Sequence, residues 1–511
     1  MNIWLKPSLM ACALSAGLLS STAVLAQDLN IAIHATISHF DPQDSNNSID
    51  YIAQGGIFQR LIGFDEHLNI VPELAESWEA NEAATEFTFK LRKGVRFHDG
   101  TDFDANAVKV NIERMADQSL NLKRNSLMKN VDRVEVIDSE TVKIILKEPF
   151  GAMIATIAHP SVVMHSPAAL EKWGKEVSKN PVGTGPFKYS EWVPGERITM
   201  VKNDDYWEEG WPKVDKVTLF PVSESGTRVA MLRSDEVQYV FTLPPELAEA
   251  VKEADGYIVN EKDGIRVWTA SMNLLKDKFK DVRVRQAFNY AFNNKAFVKV
   301  MYSGHGSEPT SSIAPNTAHY SAQEPYNFDL EKARALMKEA GYENGMDVEI
   351  WGQNSTAGVR LLQFLKQQLS QINVNAKIVP MESATRSQKV FRIESPEEAE
   401  YDMVIGGWSP STGDADWHIR PVYGKEGWIP QIYNMAFYEN PTVEENIQAA
   451  LNTADNEKRA EAYKIAQEHI WKDAPVVWLG TDNVLSAQSE KVDGLFITPD
   501  GHLSYNYAEF K

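Results

Sequence analysis

From residue 329 to 407 the chain reads helix, strand, helix, strand, strand, and that order restricts its fold more than any other feature. "FDLEKARALMKEAG" is a helix with Asp329 as N-cap, Leu330, Ala333 and Met337 on one face, and Gly341 at its end. Strands are predicted over 348–351 and 374–379, with a helix over 356–372 between them, and 401–407 adds a further strand. Strand, helix, strand is a unit that requires a parallel sheet and a right-handed crossover. Ligands in such sheets sit beyond the carboxyl ends of the strands. Two polar segments emerge there, "GQNSTAGVR" and "SPSTGDADW". The second follows a double glycine and carries Trp408, Ser411, Thr412, Gly413, Asp414 and Asp416. Arg360 falls in the first turns of its helix, where the helix dipole and the guanidinium both favour an anion.

The first half has a different pattern. In "EFTFKLRKGVRFHDG", Phe87, Phe89 and Leu91 alternate with polar residues, as in a half-buried strand. "DANAVKVNIERM" is a helix capped by Asp104, and "VDRVEVIDSETVKIILKEP" is a hairpin turning at Asp138, Ser139 and Glu140. Residues from about 70 to 185 therefore form an α+β unit. A chain of 511 residues with 43% hydrophobic content has material for two or three such cores.

Residues 1–26 stand apart: Lys6, then an apolar run containing Cys12, then small residues ending at Ala26. This is a secretory signal with cleavage expected after Ala26. The apolar run is short for a membrane anchor, and Cys12 lies inside it rather than after it, unlike a lipidation site. Cleavage removes the only cysteine, leaving no internal disulfide and no thiol nucleophile. The net charge is −20, and losing Lys6 makes it one unit more negative, which argues against nucleic acid and anionic membrane as partners.

Motifs for chemistry are weak. The histidines form no His-Glu-x-x-His, and His34 and His39 are poorly spaced for a metal. "VGTGPF" lacks the Lys-Ser/Thr of a phosphate loop and reads as a turn between domains. Asp414 and Asp416 form a carboxylate pair suited in principle to acid–base work, as in a peptidase, but their polar loop favours solvated or loop-fixing roles. No cofactor and no catalytic residue is assigned.

Longer segments carry a resemblance. "VPELAESWEANEAATEFTFKLRKGVRFHDGTDFDANAVKVNIERM", "NPVGTGPFKYSEWVPGERITMVKNDDYW", "KDVRVRQAFNYAFNNKAFVKVMYSGHG" and "WKDAPVVWL" are similar to the extracellular solute-binding proteins of dipeptide, oligopeptide and nickel ABC importers. Within that family, "HPSVVMHSPAALEKWGKEV" and "GWSPSTGDADW" resemble the periplasmic glutathione-binding members. The resemblance implies an α/β, two-lobed, three-domain binding protein of class II, cluster C type, with a ligand cleft between the lobes. Domain I is expected at 27–70, 191–285 and 489–511, domain II at 71–190 and domain III at 286–488. It implies a periplasmic monomer that closes on glutathione, or on a short peptide or other amino-acid conjugate, and docks on a membrane permease. Haem and nickel are the ligands of other relatives.

The same resemblance implies site residues. Peptide-binding relatives place an aspartate for the ligand's ammonium where this chain has Ser411, which argues against ordinary peptides. Asp414 or Asp416 is the expected substitute for it. Arg360 and Arg124 are expected on ligand carboxylates, with Arg386 a further candidate, because a guanidinium binds carboxylate through two parallel hydrogen bonds. Thr412 and Gly413 offer hydroxyl and backbone donors, Trp408 an aromatic wall, and Ser38, His39 and Phe40 a backbone edge from domain I.

Overall fold

The computed structural model describes residues 27–511; the signal sequence read at 1–26, with Cys12, lies outside the described residues. Three sheets organise them. The largest has seven strands in the order Tyr257–Lys262, Val484–Ser489, Tyr239–Phe241, Asp28–Ile33, Lys216–Pro221, Arg197–Lys202 and Phe187–Val193. Asp28–Ile33 lies parallel to both neighbours and buries Leu29, Ile31 and Ile33 on one face. A four-stranded antiparallel sheet, Ala75–Ala80, Glu86–Leu91, Thr141–Leu146 and Val131–Asp138, packs beside it. Phe87, Phe89 and Leu91 fill its core as their alternation requires, beneath the helix Ala105–Ala116, whose first turn is capped by Asp104 accepting from the Ala107 N–H at 2.9 Å. These two sheets make the first lobe.

Asp41, after the Asp28–Ile33 strand, joins the two sheets of that lobe. Its carboxylate receives the Arg114 guanidinium at 2.6 and 3.3 Å and faces His165 Nε2 at 3.2 Å. Burial alone would raise its pKa, but His165 and Arg114 outweigh burial and hold it well below the carboxylate range.

The second lobe is built on six strands, Gly306–Ser307, Val476–Asp482, Val267–Met272, Met403–Trp408, Met346–Gln353 and Val374–Met381. Met346–Gln353 runs parallel to both Val374–Met381 and Met403–Trp408, with the helix Thr356–Ser370 as the crossover. One face carries that helix together with Val282–Tyr290, Asn294–Tyr302 and Leu330–Glu339, while the opposite face turns towards the first lobe.

Three expected borders move. Phe187–Val193 pairs into the seven-stranded sheet, so 190 falls inside a strand of that sheet. Val267–Met272 pairs with Met403–Trp408 and Val476–Asp482, which places it in the second lobe rather than before a border at 286. Val484–Ser489 belongs to the first lobe. The partners of "VWTASM" cannot be read locally, because pairing is decided far along the chain. The chain thus crosses between lobes at 263–266 and at Asn483. The crossings run side by side at Gly264, where a Cβ would lie 2.1 Å from the Asp482 carbonyl oxygen. Two short adjacent connections of this kind are what hinge motion needs.

Candidate functional site

Met403–Trp408 carries Gly406 and Gly407 near its end because two side chains close over it. A Cβ on Gly406 would stand 2.8 Å from the Tyr433 hydroxyl, and one on Gly407 2.9 Å from the Trp268 ring. The chain then turns, with the Gly413 N–H bonded to the Pro410 carbonyl at 2.7 Å and Gly413 at a φ of 66°. That positive φ is the reason for glycine here. The loop faces the first lobe: Phe64 and Leu68 pack against Gly413, and Ser411 Oγ lies 2.9 Å from His159 Nε2. Nearby, Phe150 touches both lobes' cores, and the Gly151 N–H donates across to the Leu451 carbonyl at 2.7 Å. Only glycine fits there, since a Cβ would meet the Thr453 oxygen at 2.1 Å. The lobes are closed on each other around this loop.

Both loop aspartates are already neutralised. Asp414, 3% exposed, receives Arg459 through two bonds of 2.8 and 3.0 Å, with His319 Nε2 at 3.6 Å. Burial would raise its pKa, yet Arg459 and His319 hold it well below the usual range. Asp416, in the first turn of Asp416–Tyr423, receives Arg420 at 2.8 and 2.6 Å and the Tyr463 hydroxyl at 3.4 Å. The expectation that either takes a ligand's ammonium is therefore corrected: each carboxylate is spent on an arginine that anchors the loop to its own lobe. Arg459 lies on the buried stripe of Asn456–Asp473, one turn before Ala462 and Tyr463; helical spacing marks that face, but not Asp414 as its partner.

The other candidates divide. Arg360 is exposed and donates to the Met301 carbonyl at 3.3 Å, in the helix layer behind the sheet and away from the loop. Arg386 lies on the cleft-facing side, nine-tenths buried, and its Nη2 donates to the Ile405 carbonyl at 2.7 Å. Its Nε has no partner, and no carboxylate pairs with it, among the described residues. Buried Arg285 is different, because three backbone carbonyls satisfy it. Arg386 sits over the Phe391 ring, which stacks on Tyr433, and Tyr433 meets Trp408 at 4.8 Å. Trp408 donates its indole N–H to the Trp417 carbonyl, closing the loop on itself. Thr412 is buried and its hydroxyl receives the Asp414 N–H at 3.4 Å.

On the first lobe, Arg124 donates through Nε to the Ser45 carbonyl and the Tyr51 hydroxyl at 2.9 and 3.1 Å. It too makes no carboxylate contact among the described residues. Tyr51 packs edge-on against His159 at 6.2 Å and against His502 at 5.5 Å. A separate cleft, lined by first-lobe residues alone, runs from Tyr51 and His502 past Gln54, Arg60 and Glu73 to Tyr206. Ser38 is held by Asp50, its N–H at 2.8 Å from Oδ1, and His39 folds back on Asp41. Phe40 is fully buried against Tyr189 and Trp192, so its side chain is core rather than cleft lining. His159, Tyr51 and Tyr433 were not read as site residues; His159 opens the family-like segment "HPSVVMHSPAALEKWGKEV", but nothing in that segment shows its partner in the second lobe.

His418, one turn into the loop's helix, is 1% exposed, with Nδ1 unpartnered, and burial lowers its pKa to about 3. Below an unfolded value of about 6.5 the unfolded chain takes up a proton that the folded chain refuses. Stability from this group is therefore complete above pH 6.5 and declines towards pH 3, by up to about 1.4 kcal/mol per pH unit. Urea unfolding between pH 6.5 and 4.5 should show a shallower decline in His418→Leu than in the unaltered protein.

The comparisons with known proteins agree with this architecture. Residues 69–429 match the description "Bacterial extracellular solute-binding proteins, family 5 Middle". The chain belongs to this family. It is 37% identical over 507 residues to the glutathione-binding protein GsiB of Escherichia coli O157:H7, covering 99% of each chain. Among solved structures it is similar to HbpA2 from Haemophilus parasuis, with a TM-score of 0.85 and 26% identity over 95% of this chain and 100% of that one. It is also similar to the ABC transporter-associated periplasmic binding protein DppA from Helicobacter pylori in complex with peptide STSA, with a TM-score of 0.77 and 28% identity over 94% and 98%. The family is one of solute-binding proteins of transporters and not of enzymes. Its ligands are small molecules or peptides, and its partners are ABC permeases.

Proposed function

We propose that this protein is the periplasmic, monomeric glutathione-binding component of an ABC importer, which closes its two lobes on the ligand and presents it to the permease. The end-to-end likeness to a glutathione-binding protein carries this reading. The site supports it. Glutathione has two carboxylates, and Arg124 on one lobe and Arg386 on the other are guanidiniums without an acidic partner among the described residues. A ligand carboxylate would satisfy each by charge-assisted hydrogen bonds. Ser411, in place of the ammonium-binding aspartate of peptide-binding relatives, removes the feature that suits an ordinary α-peptide.

Thermal unfolding and calorimetry with glutathione, γ-glutamyl-cysteine and α-linked di- and tripeptides test this. Glutathione at about one hundred times its Kd should stabilise the protein by about 2.7 kcal/mol, and α-linked peptides should not. Stabilisation by α-linked peptides alone would overturn the assignment.

A further inference from the structure

We infer, on the proposed reading of the 408–416 loop as part of a glutathione site, that His159 is a positioning residue that makes the Ser411 hydroxyl a hydrogen-bond donor to a ligand carboxylate. His159 is a first-lobe side chain with no exposed surface, yet its Nε2 reaches Ser411 Oγ in the second lobe at 2.9 Å. Its Nδ1 has two contacts with Ser161, the hydroxyl at 2.8 Å and the backbone N–H at 3.1 Å; a hydroxyl can take either role, but a backbone N–H can only donate. Nδ1 is therefore an acceptor, and the proton of the neutral ring sits on Nε2. Burial, followed by the charges of Arg124, His502 and Arg60, lowers the pKa of His159 well below the ordinary value, so the ring stays neutral.

With the Nε2–H donated to it, Ser411 Oγ has accepted one bond and keeps its own O–H to give away. The loop position thus offers a donor, where an aspartate would offer an acceptor suited to an ammonium. Arg124 reinforces the choice. It is tied to the same cluster through the Tyr51 hydroxyl at 3.1 Å, and Tyr51 in turn packs on the His159 ring. A hydroxyl donor beside a guanidinium without a carboxylate matches a carboxylate group and repels a positive one.

Calorimetry on the full mature chain, with glutathione and its two mono-amides, separates the possibilities. His159→Leu and Ser411→Ala should each weaken glutathione by about tenfold to a hundredfold, the range for a hydrogen bond to a charged group. The double variant should lose no more than Ser411→Ala alone, because His159 acts through Ser411. His159→Gln, which keeps an N–H donor, should recover most of the affinity. One of the two mono-amides should weaken binding to the unaltered protein but bind Ser411→Ala about as well as glutathione does.

Losses that multiply in the double variant, unchanged binding by His159→Leu, or equal amide penalties with and without Ser411 would overturn the inference. If the unaltered protein ignores glutathione and binds an α-linked peptide, the proposed function fails. The same cycle run with that peptide and its C-terminal amide then decides the role of His159 on its own.

Discussion

Arg459→Ala should destabilise the second lobe by about 3–5 kcal/mol, measured as a fall in its urea-unfolding free energy. Arg459 and Asp414 are each 4% exposed at the side chain and joined by two hydrogen bonds, so removing the guanidinium strands an ionised carboxylate in the core. His319 alone, at 3.6 Å, replaces little of what is lost. Replacing both members by apolar residues of similar volume, as in Asp414→Leu with Arg459→Met, should recover much of the loss, because the desolvation cost disappears with the charges. The pair also has a defined pH signature. The folded carboxyl stays ionised where the unfolded one, near 3.8, takes a proton. Its contribution is therefore complete above about pH 4 and is lost as pH falls below it. A loss under about 1 kcal/mol in Arg459→Ala would mean that the loop is not anchored in this way.

Arg386→Leu should give the opposite pattern: a large loss of ligand affinity with little loss of stability. The guanidinium is buried with one backbone acceptor and an unpartnered Nε, so in the unliganded protein it is itself under-satisfied. Leucine keeps the apolar contact with Phe391 and removes the buried charge. A ligand carboxylate that pairs with Arg386 would lose about 1.5–3 kcal/mol, equivalent to roughly ten- to 150-fold in Kd. Calorimetry with glutathione, alongside urea unfolding without it, reads both quantities. Unchanged affinity in Arg386→Leu would remove this residue from the site. A large loss of stability would make it a core group like Arg285.

The two arginines show where local sequence stops informing. Arg360 stands at the start of a helix after a strand, which is a good local context for an anion, and the structure leaves it on the outer helix layer. Arg386 stands in "ATRSQKVFR", with nothing to separate it from a surface arginine, and it is buried under the strand end that carries the loop. Both statements follow from which face of the sheet a helix covers, and helix periodicity does not record that choice.

What the sequence determined by itself is local and repetitive. The Phe87, Phe89 and Leu91 alternation, the Asp104 and Asp329 caps, the turn at Ser139 and the strand–helix–strand order at 346–381 all appear where the residues place them. Each depends on interactions within a few residues. The long family-like segments carried the rest of the fold and its class of function. Tertiary structure alone decided which sheet Val267–Met272 joins and that Asp414 is consumed by Arg459. It also decided that His159 meets Ser411 across 252 residues of chain. Burial sets these pairings: once water is excluded, each charge or hydrogen-bonding group must find its partner in space, and separation along the chain no longer constrains the choice.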